Sequence, residues 1–197
     1  MRMVALMGSP RKGGNTDVLT DECLRGASQA GAQVEKVYLD DLHIRPIGDV
    51  GEVPSAQRTD ARHDDDFPRA LGRFLAADVV VLSSPDYWLG VSAQLKCFID
   101  RLSCYFRVPA YEERFDGKGY LVIGSFGRPD PDHGRWITEP LKVCVDVLRG
   151  RYLGDLYVSV PSPVRGRVRE NVQAMQAAFD LGRQAVRQFA AGSPPRP

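Results

Sequence analysis

Between residues 8 and 16 the chain reads Gly-Ser-Pro-Arg-Lys-Gly-Gly-Asn-Thr. Hydroxyl and amide side chains stand there beside two cations, and the glycines let backbone N–H groups approach an anion. A helix that begins near Thr16 would add the positive end of its dipole. The segment therefore predicts a phosphate-binding loop, whose ligand residues we expect to be Ser9, Arg11, Lys12, Gly14, Asn15 and Thr16.

The spacing within this loop excludes two common phosphate motifs. Gly14 stands where a nucleoside triphosphate loop requires Lys, and Pro10 stands where the dinucleotide motif requires its second Gly. A Gly-rich turn that only caps a helix is the alternative, but such a turn needs neither of the two cations.

A second candidate segment, residues 83–90, reads Ser-Ser-Pro-Asp-Tyr-Trp-Leu-Gly and follows an apolar strand. Its aromatic and aliphatic side chains could cover a flat apolar ring, and its backbone N–H groups could bind the polar edge of that ring. The alternative is that Tyr87 and Trp88 are ordinary core aromatics. We expect the ligand residues here to be Pro85, Asp86, Tyr87, Trp88, Leu89 and Gly90.

Both segments follow strands in a regular alternation of strand and helix. The apolar runs do not alternate with polar residues, which is typical of strands buried on both faces of a parallel sheet. Apolar residues recur at helical spacing from Val91 to Leu102 and from Val168 to Phe189. The pattern predicts an α/β fold, a doubly wound five-stranded parallel sheet with helices on both faces, which binds ligands beyond the carboxyl ends of its strands. The predicted strands are Met3–Met7, Gln33–Leu39, Asp78–Ser83, Gly119–Gly124 and Tyr152–Val160.

The two segments together resemble the NADPH-dependent FMN reductase family, within the group of flavodoxin-like quinone reductases and iron–sulfur flavoproteins. Residues 8–16 are similar to the FMN-phosphate loop of that family. Residues 85–101, with Leu-Lys-x-Phe-Ile-Asp-Arg at their end, are similar to the loop and helix that wrap the isoalloxazine ring. The resemblance implies a flavodoxin-like fold, FMN and NAD(P)H as cofactors, and Ser125 and Gly127 in a turn under the flavin. It also implies that Asp100 and Arg101 lie at a dimer interface, although a solvated pair at a helix end is equally compatible with them.

The sequence departs from the iron–sulfur members of this group in the long connection formed by residues 40–66. That connection contains no cysteine, so we expect no iron–sulfur centre. Its acidic run, residues 64–66, is interpreted as a solvated helix start and not as a metal site. The three histidines lack zinc-site spacing. His133 is either a plain loop histidine or a proton donor to a bound substrate.

Composition limits the partners and the setting. The net charge is +1, from 26 basic and 25 acidic residues, which favours neither nucleic acid nor an anionic membrane. No apolar run reaches the roughly 20 residues of a membrane span, and no cleavage signature follows the first strand. The four cysteines form no CxxC pair, so we expect a cytoplasmic protein. We expect one domain over residues 1–191 and a disordered tail over residues 192–197.

These observations predict an enzyme that transfers hydride from NAD(P)H through FMN to a quinone, nitro, azo or flavin acceptor. FMN carries that chemistry, so no catalytic side chain is expected. The alternatives are an FMN-dependent tailoring enzyme that acts on one metabolite and a flavodoxin-like electron carrier. The sequence leaves open the acceptor, the choice between NADH and NADPH, and the role of residues 40–66.

The segment formed by residues 104–118 carries four aromatic residues directly after the helix that ends at Arg101. Exposed aromatic side chains beside a cofactor usually pack against a partner. We therefore expect a homodimer.

Overall fold

The computed structural model describes residues 1–58 and 64–192, and they form a five-stranded, all-parallel sheet in the order β2-β1-β3-β4-β5. The strands are β1 (Arg2–Met7), β2 (Gln33–Tyr38), β3 (Val79–Ser83), β4 (Gly119–Phe126) and β5 (Arg151–Ser159). They agree with the predicted strands to within about two residues at each end. The chain reverses its direction of travel across the sheet between β2 and β3, so that β1 and β3 are neighbours.

Within the part of the chain that the structure describes, six α-helices accompany the sheet: α1 (Asn15–Gln29), α2 (Phe67–Ala76), α3 (Ala93–Arg101), α4 (Pro109–Glu112), α5 (Arg135–Val147) and α6 (Val172–Ala191). Apolar residues of α1 and α6 pack on one face of the sheet, and those of α2, α3 and α5 pack on the other. The doubly wound architecture is therefore confirmed. The predicted last helix is split, because residues Arg167–Glu170 form a 3-10 turn and the Asn171 side chain then caps α6 by accepting from Ala174 N at 3.0 Å.

Helices α1 and α6 cross at very close range. A Cβ atom added to Gly26 would collide with the carbonyl oxygen of Phe179, and one added to Gly182 would collide with that of Cys23. These two glycines therefore let the backbones approach, which fixes α1, the helix that follows the predicted phosphate loop.

The acidic run at residues 64–66 lies at the start of α2, as expected, but it is solvated only in part, because Asp64 is exposed whereas the side chain of Asp65 is completely buried. The Asp65 carboxylate accepts hydrogen bonds from Phe67 N and Arg45 N, both at 3.0 Å. Asp66 accepts from His43 N at 2.8 Å. The carboxylates of Asp65 and Asp66 thus tie the long connection to the start of α2 through hydrogen bonds from its backbone N–H groups.

Arg101 is likewise not a solvated residue. Its guanidinium is buried, donates to Asp65, and lies 4.2 Å from the ring centroid of Phe67. Asp100 instead pairs with Lys96 one helical turn earlier, at 2.5 Å. The pair at the end of α3 therefore divides into one buried residue and one surface residue.

The aromatic side chains of residues 104–118 pack into the chain's own core, which removes the reason given above for a homodimer. Phe115 is buried, and Tyr105, Phe106 and Tyr111 are partly buried against the cluster formed by α2, α3 and α5. The Tyr105 ring lies 5.5 Å from Phe67. The predicted tail over residues 192–197 falls outside the described residues, except for Gly192 in a turn after α6.

Candidate functional site

The predicted phosphate loop leaves the carboxyl end of β1 and leads directly into α1. Gly8 must lack a side chain, because a Cβ there would lie 2.5 Å from Ser92 Oγ, and Gly8 N donates to Ser83 O at 2.7 Å. Gly13 has φ +72°, a left-handed conformation that favours glycine. The glycines therefore set the path of the loop.

The first turn of α1 is open for an anion. The N-cap residue Gly14 has no side chain to accept the first N–H groups, and the helix runs for 15 residues behind it. Unsatisfied N–H groups and the helix dipole both favour a negative charge at such an end. Ser9 and Arg11 stand beside it, with Arg11 N donating to Ser9 Oγ at 3.2 Å.

A cleft of about 170 Å³ opens above this loop, at the carboxyl edge of the sheet. Loops that follow β1, β3, β4 and β5 all contribute to its walls, as expected for a doubly wound sheet. Its lining residues are Ser9, Arg11, Gly14, Asn15, Thr16, Pro85, Asp86, Tyr87, Ser125, Phe126, Gly127, Val160 and Ser162. The structure thus brings together ten of the residues expected from the sequence.

Four expected residues do not line the cleft. Lys12 is half exposed, and its ammonium lies 2.7 Å from both carboxylate oxygens of Asp41, which raise the pKa of Lys12. Trp88, Leu89 and Gly90 form the tip of the second loop, outside the lining. Trp88 is completely exposed at that tip.

The second loop is held at its base by Ser84. Ser84 Oγ accepts from Ser92 N and donates to Pro85 O, both at 2.8 Å, and Ser84 N donates to Ile123 O at 2.9 Å. Asp86 N then donates to Ser125 O at 3.0 Å, which joins the loop to β4. These bonds place Asp86 and Tyr87 in the cleft wall.

The loop tip is a tight turn in a strained conformation. Tyr87 N donates to Gly90 O at 2.9 Å, and Gly90 N donates to Tyr87 O at 3.2 Å. The two residues between them, Trp88 and Leu89, have φ values of 53° and 62°. Left-handed conformations at residues other than glycine cluster at functional sites.

The floor of the cleft is polar, and its hydroxyl groups have hydrogen-bond partners. Thr16 Oγ1 lies 2.9 Å from Ser125 Oγ, and both residues are buried. Tyr157 lies behind Ser84 and donates to its carbonyl oxygen at 2.9 Å. Burial, followed by the negative charges of Asp86 and Asp155, raises the pKa of Tyr157 well above its ordinary value, so the phenol remains a donor.

The segment after β5 forms a wall that the sequence analysis did not include. Arg11 Nη2 donates to Pro163 O at 3.2 Å, and Val168 N donates to Asn15 Oδ1 at 3.1 Å. Val160 and Ser162 line the cleft from this segment, and Phe126 lines it from the end of β4. Val160 ends the predicted fifth strand and Ser162 lies two residues beyond it, so their position at the carboxyl end of a strand could have identified them.

A phosphomonoester on a flat ring fits these residues. The open end of α1 and Arg11 are suited to the phosphate, whereas Pro85, Tyr87 and Phe126 offer apolar cover further along the cleft. A wider depression of about 790 Å³ shares Val160 and Ser162 with the cleft. Among residues 1–58 and 64–192 no group of three or more His, Cys, Asp or Glu could hold a metal ion, and no helix is long and apolar enough to cross a membrane.

Comparison with known proteins supports the same ligand chemistry. An iron-sulfur flavoprotein of Archaeoglobus fulgidus is 33% identical over 130 residues, which cover 66% of this chain and 58% of that protein. An FMN-dependent NADH:quinone oxidoreductase of Stenotrophomonas maltophilia is 30% identical over 115 residues, 55% of this chain and 58% of that protein. The chain thus matches less than two thirds of the length of these relatives.

Comparison with solved structures supports the fold. The Trp repressor binding protein from Bacillus subtilis superimposes with a TM-score of 0.69 at 24% identity, over 92% of this chain and 99% of that one. The sequence model of a family described as NADPH-dependent FMN reductase matches residues 1–164. The resemblance found in the two loops is therefore confirmed, and the chain belongs to the NADPH-dependent FMN reductase family, whose cofactors are FMN and NAD(P)H.

Proposed function

We propose that this protein is an FMN-dependent NAD(P)H oxidoreductase that delivers hydride to a quinone, nitro, azo or flavin acceptor. The observation that carries the proposal is the uncapped first turn of α1, which opens with Ser9 and Arg11 into a cleft at the carboxyl edge of the sheet. The name of the Stenotrophomonas maltophilia relative favours a quinone as the first acceptor to test.

In this proposal the chain binds and orients, and FMN when bound supplies the hydride chemistry. The loop from Ser9 to Thr16 holds the phosphate, with Lys12 acting only through its pair with Asp41. The cleft of about 170 Å³ is smaller than typical ligand pockets of roughly 300–1,000 Å³, so it would enclose only part of a bound FMN molecule. The part left uncovered would be accessible to an electron donor and then to an acceptor.

The visible spectrum of the purified protein tests the cofactor and the reaction together. We expect flavin absorption that bleaches when NADPH is added without oxygen and returns when a quinone is added. Steady-state turnover with NADPH and NADH then measures the preference between them. A chain that takes up no flavin after reconstitution with FMN would contradict the proposal.

A tailoring enzyme for one metabolite is the second candidate, suggested by the long connection of residues 40–66. A screen of acceptors separates it from a general reductase, because a tailoring enzyme would turn over one compound far faster than simple quinones. An electron carrier is disfavoured by the net charge of +1, since carriers usually meet their partners through strong charge complementarity.

The proposal includes a homodimer, now supported by a different surface. Trp136, Val143 and Val147 lie at helical spacing on one side of α5 and are each at least half exposed. Light scattering should give twice the chain mass at micromolar concentration. If it gives a single chain mass, the dimer is excluded.

The proposal also includes a cytoplasmic, iron-free protein. Cys23, Cys97 and Cys144 are free thiols, which suits a reducing compartment. The connection of residues 40–66 contains no cysteine that could hold iron. Elemental analysis after anaerobic purification should find no iron, whereas a near-stoichiometric content would contradict this part.

A further inference from the structure

The wider depression beside the cleft has a volume of about 790 Å³ and is lined by the end of β5, the 3-10 turn Arg167–Glu170 and the start of α6. Val160 and Ser162 line both the depression and the cleft, so the two adjoin. The volume falls within the roughly 300–1,000 Å³ of typical ligand pockets. The family match ends at residue 164, so it assigns no role to the residues that line the depression from Arg167 onward.

The wall of the depression is held against the phosphate loop by hydrogen bonds. Arg165 Nη1 donates to Lys12 O at 3.0 Å, and Val168 N donates to Asn15 Oδ1 at 3.1 Å. The Val168 side chain is buried, which anchors the 3-10 turn in the core. A site that is formed before its ligand arrives loses less entropy when the ligand binds. The depression is therefore a surface fixed in place beside the cleft.

Arg167 places a positive charge in the depression. Its side chain is half exposed, and its Nη1 lies 3.0 Å from Glu170 Oε1. An exposed ion pair of this kind contributes little to stability, so a phosphate group can displace Glu170 easily. The planar guanidinium of arginine can donate two parallel hydrogen bonds to a phosphate. Arg167 is therefore suited to bind the phosphate group of a ligand in the depression.

The depression also offers apolar surface for a flat base. Val172 is 77% exposed in the first turn of α6, and Pro161 is exposed between the two residues shared with the cleft. Small-molecule sites combine such apolar surface with a few charged or polar groups that fix the orientation of the ligand. A nucleoside that carries a phosphate group matches this composition.

The nicotinamide cofactor contains such a nucleoside. Its nicotinamide ring must reach the flavin, but the cleft of about 170 Å³ is too small to hold the rest of the molecule as well. We propose that the wider depression binds the adenosine half of the nicotinamide cofactor, and that Arg167 binds the 2′-phosphate present in NADPH and absent from NADH. This inference rests on the proposed function, in which the flavin occupies the cleft. The family description names NADPH and the Stenotrophomonas maltophilia relative names NADH, so the comparisons leave this preference open.

The test is a calorimetric titration of the flavin-loaded full chain with adenosine 2′,5′-bisphosphate and with 5′-AMP, which differ only in the 2′-phosphate. We expect the bisphosphate to bind more tightly. Arg167→Gln should weaken the bisphosphate by roughly ten- to hundredfold and leave 5′-AMP almost unchanged, because it removes a charge-assisted contact to the 2′-phosphate alone. Equal affinities for the two nucleotides in wild type, or no binding of either, would overturn the proposal. An equal loss for both in Arg167→Gln would place Arg167 at the 5′-phosphate and overturn the assignment.

Arg183→Gln is the matched control, because Arg183 also pairs with a carboxylate three residues away, that of Asp180 at 2.8 Å, but does not line the depression. It should leave both affinities unchanged. Glu170→Gln tests the contact in the opposite direction: it frees Arg167 and removes a negative charge, so the bisphosphate should bind more tightly. Unchanged or weaker binding in Glu170→Gln would contradict the contact. Thermal unfolding shows whether each variant is folded, and if Arg167→Gln is not, Glu170→Gln decides.

Steady-state turnover adds a second readout. Arg167→Gln should raise the KM for NADPH and leave the KM for NADH and both kcat values nearly unchanged, since a contact to the 2′-phosphate does not involve the reacting rings. The bisphosphate should inhibit in competition with NADPH, whereas competition with the quinone alone would assign the depression to the acceptor and overturn the proposal. A chain that binds no FMN would refute the proposed function itself. Titration of the flavin-free chain with the two nucleotides would still test the depression in that case.

Discussion

Arg101 Nη1 donates to Asp65 Oδ2 in an ion pair whose two side chains are completely buried. The pair joins the end of α3 to the last residues of the long connection, and Asp65 also accepts from Arg45 N and Phe67 N. Burying two charges is expensive, and the extra hydrogen bonds offset that cost. The pair therefore holds residues 42–45 and 64–67 against the helix that follows the ring-binding loop.

Removal of one partner should leave an uncompensated buried charge. We expect Arg101→Met to lower the free energy of unfolding by about 3–5 kcal/mol, measured by urea denaturation. The matched control is Arg73→Met, since Arg73 pairs with Glu35 at 3.4 Å on the surface and such pairs contribute about 0–1 kcal/mol. Equal effects of the two changes would show that Arg101 is solvated in solution.

The pH dependence of stability should carry the signature of Asp65. Burial alone would raise the pKa of Asp65, but the hydrogen bonds from Arg101, Arg45 N and Phe67 N outweigh burial and lower it. A carboxyl with a lowered pKa in the folded state contributes stability above its unfolded pKa of about 3.9 and loses it as the pH falls through the folded pKa. Below about pH 4 the free energy of unfolding should therefore fall more steeply in wild type than in Asp65→Asn. Parallel curves would contradict the assignment.

The phosphate loop gives a prediction about ligand selectivity. Arg11→Ala should weaken FMN by about 1–3 kcal/mol, or roughly ten- to hundredfold, and leave riboflavin almost unchanged, since riboflavin has no phosphate. Lys12→Ala is the control, because the Lys12 ammonium is held by Asp41 and lies outside the cleft lining. Isothermal titration measures both ligands. A larger loss of FMN affinity in Lys12→Ala than in Arg11→Ala would show that Lys12, and not Arg11, binds the phosphate.

The sequence predicted the sheet and most of the cleft because both depend on local patterns. Continuous apolar runs mark strands buried on both faces, and Gly-rich segments at their carboxyl ends mark ligand loops. Lys12 pairs with Asp41, 29 positions away in the sequence, and Arg101 pairs with Asp65, 36 positions away. No local spacing reveals such pairs. The same holds for His133, which meets Asp86 across 47 residues.

The core contains a tyrosine hydroxyl whose removal should not lower the free energy of unfolding. Tyr120 OH is buried and has no hydrogen-bond partner within the described ranges, 1–58 and 64–192, and burial raises its pKa. Tyr120→Phe should therefore leave the free energy of unfolding unchanged or raise it by up to about 1–3 kcal/mol. Tyr157→Phe is the control and should cost about 0.5–1.5 kcal/mol, since Tyr157 OH donates to Ser84 O at 2.9 Å. A comparable loss in both variants would reveal a partner for Tyr120.

Relief of the strain at the tip of the second loop should raise the stability of the chain and lower its turnover. Leu89 has φ 62° and is half exposed, so Leu89→Gly removes left-handed strain with little loss of packing. We expect thermal unfolding to shift upward, by about 0.5–1 kcal/mol in free energy, and turnover with NADPH and a quinone to fall. Val53→Gly is the control, because Val53 is also exposed in a loop but is not among the residues with positive φ, so it gains only backbone entropy in the unfolded state. If Leu89→Gly and Val53→Gly are destabilised to the same extent, the tip is not strained. If the turnover of Leu89→Gly is unchanged, the strain has no role in the reaction.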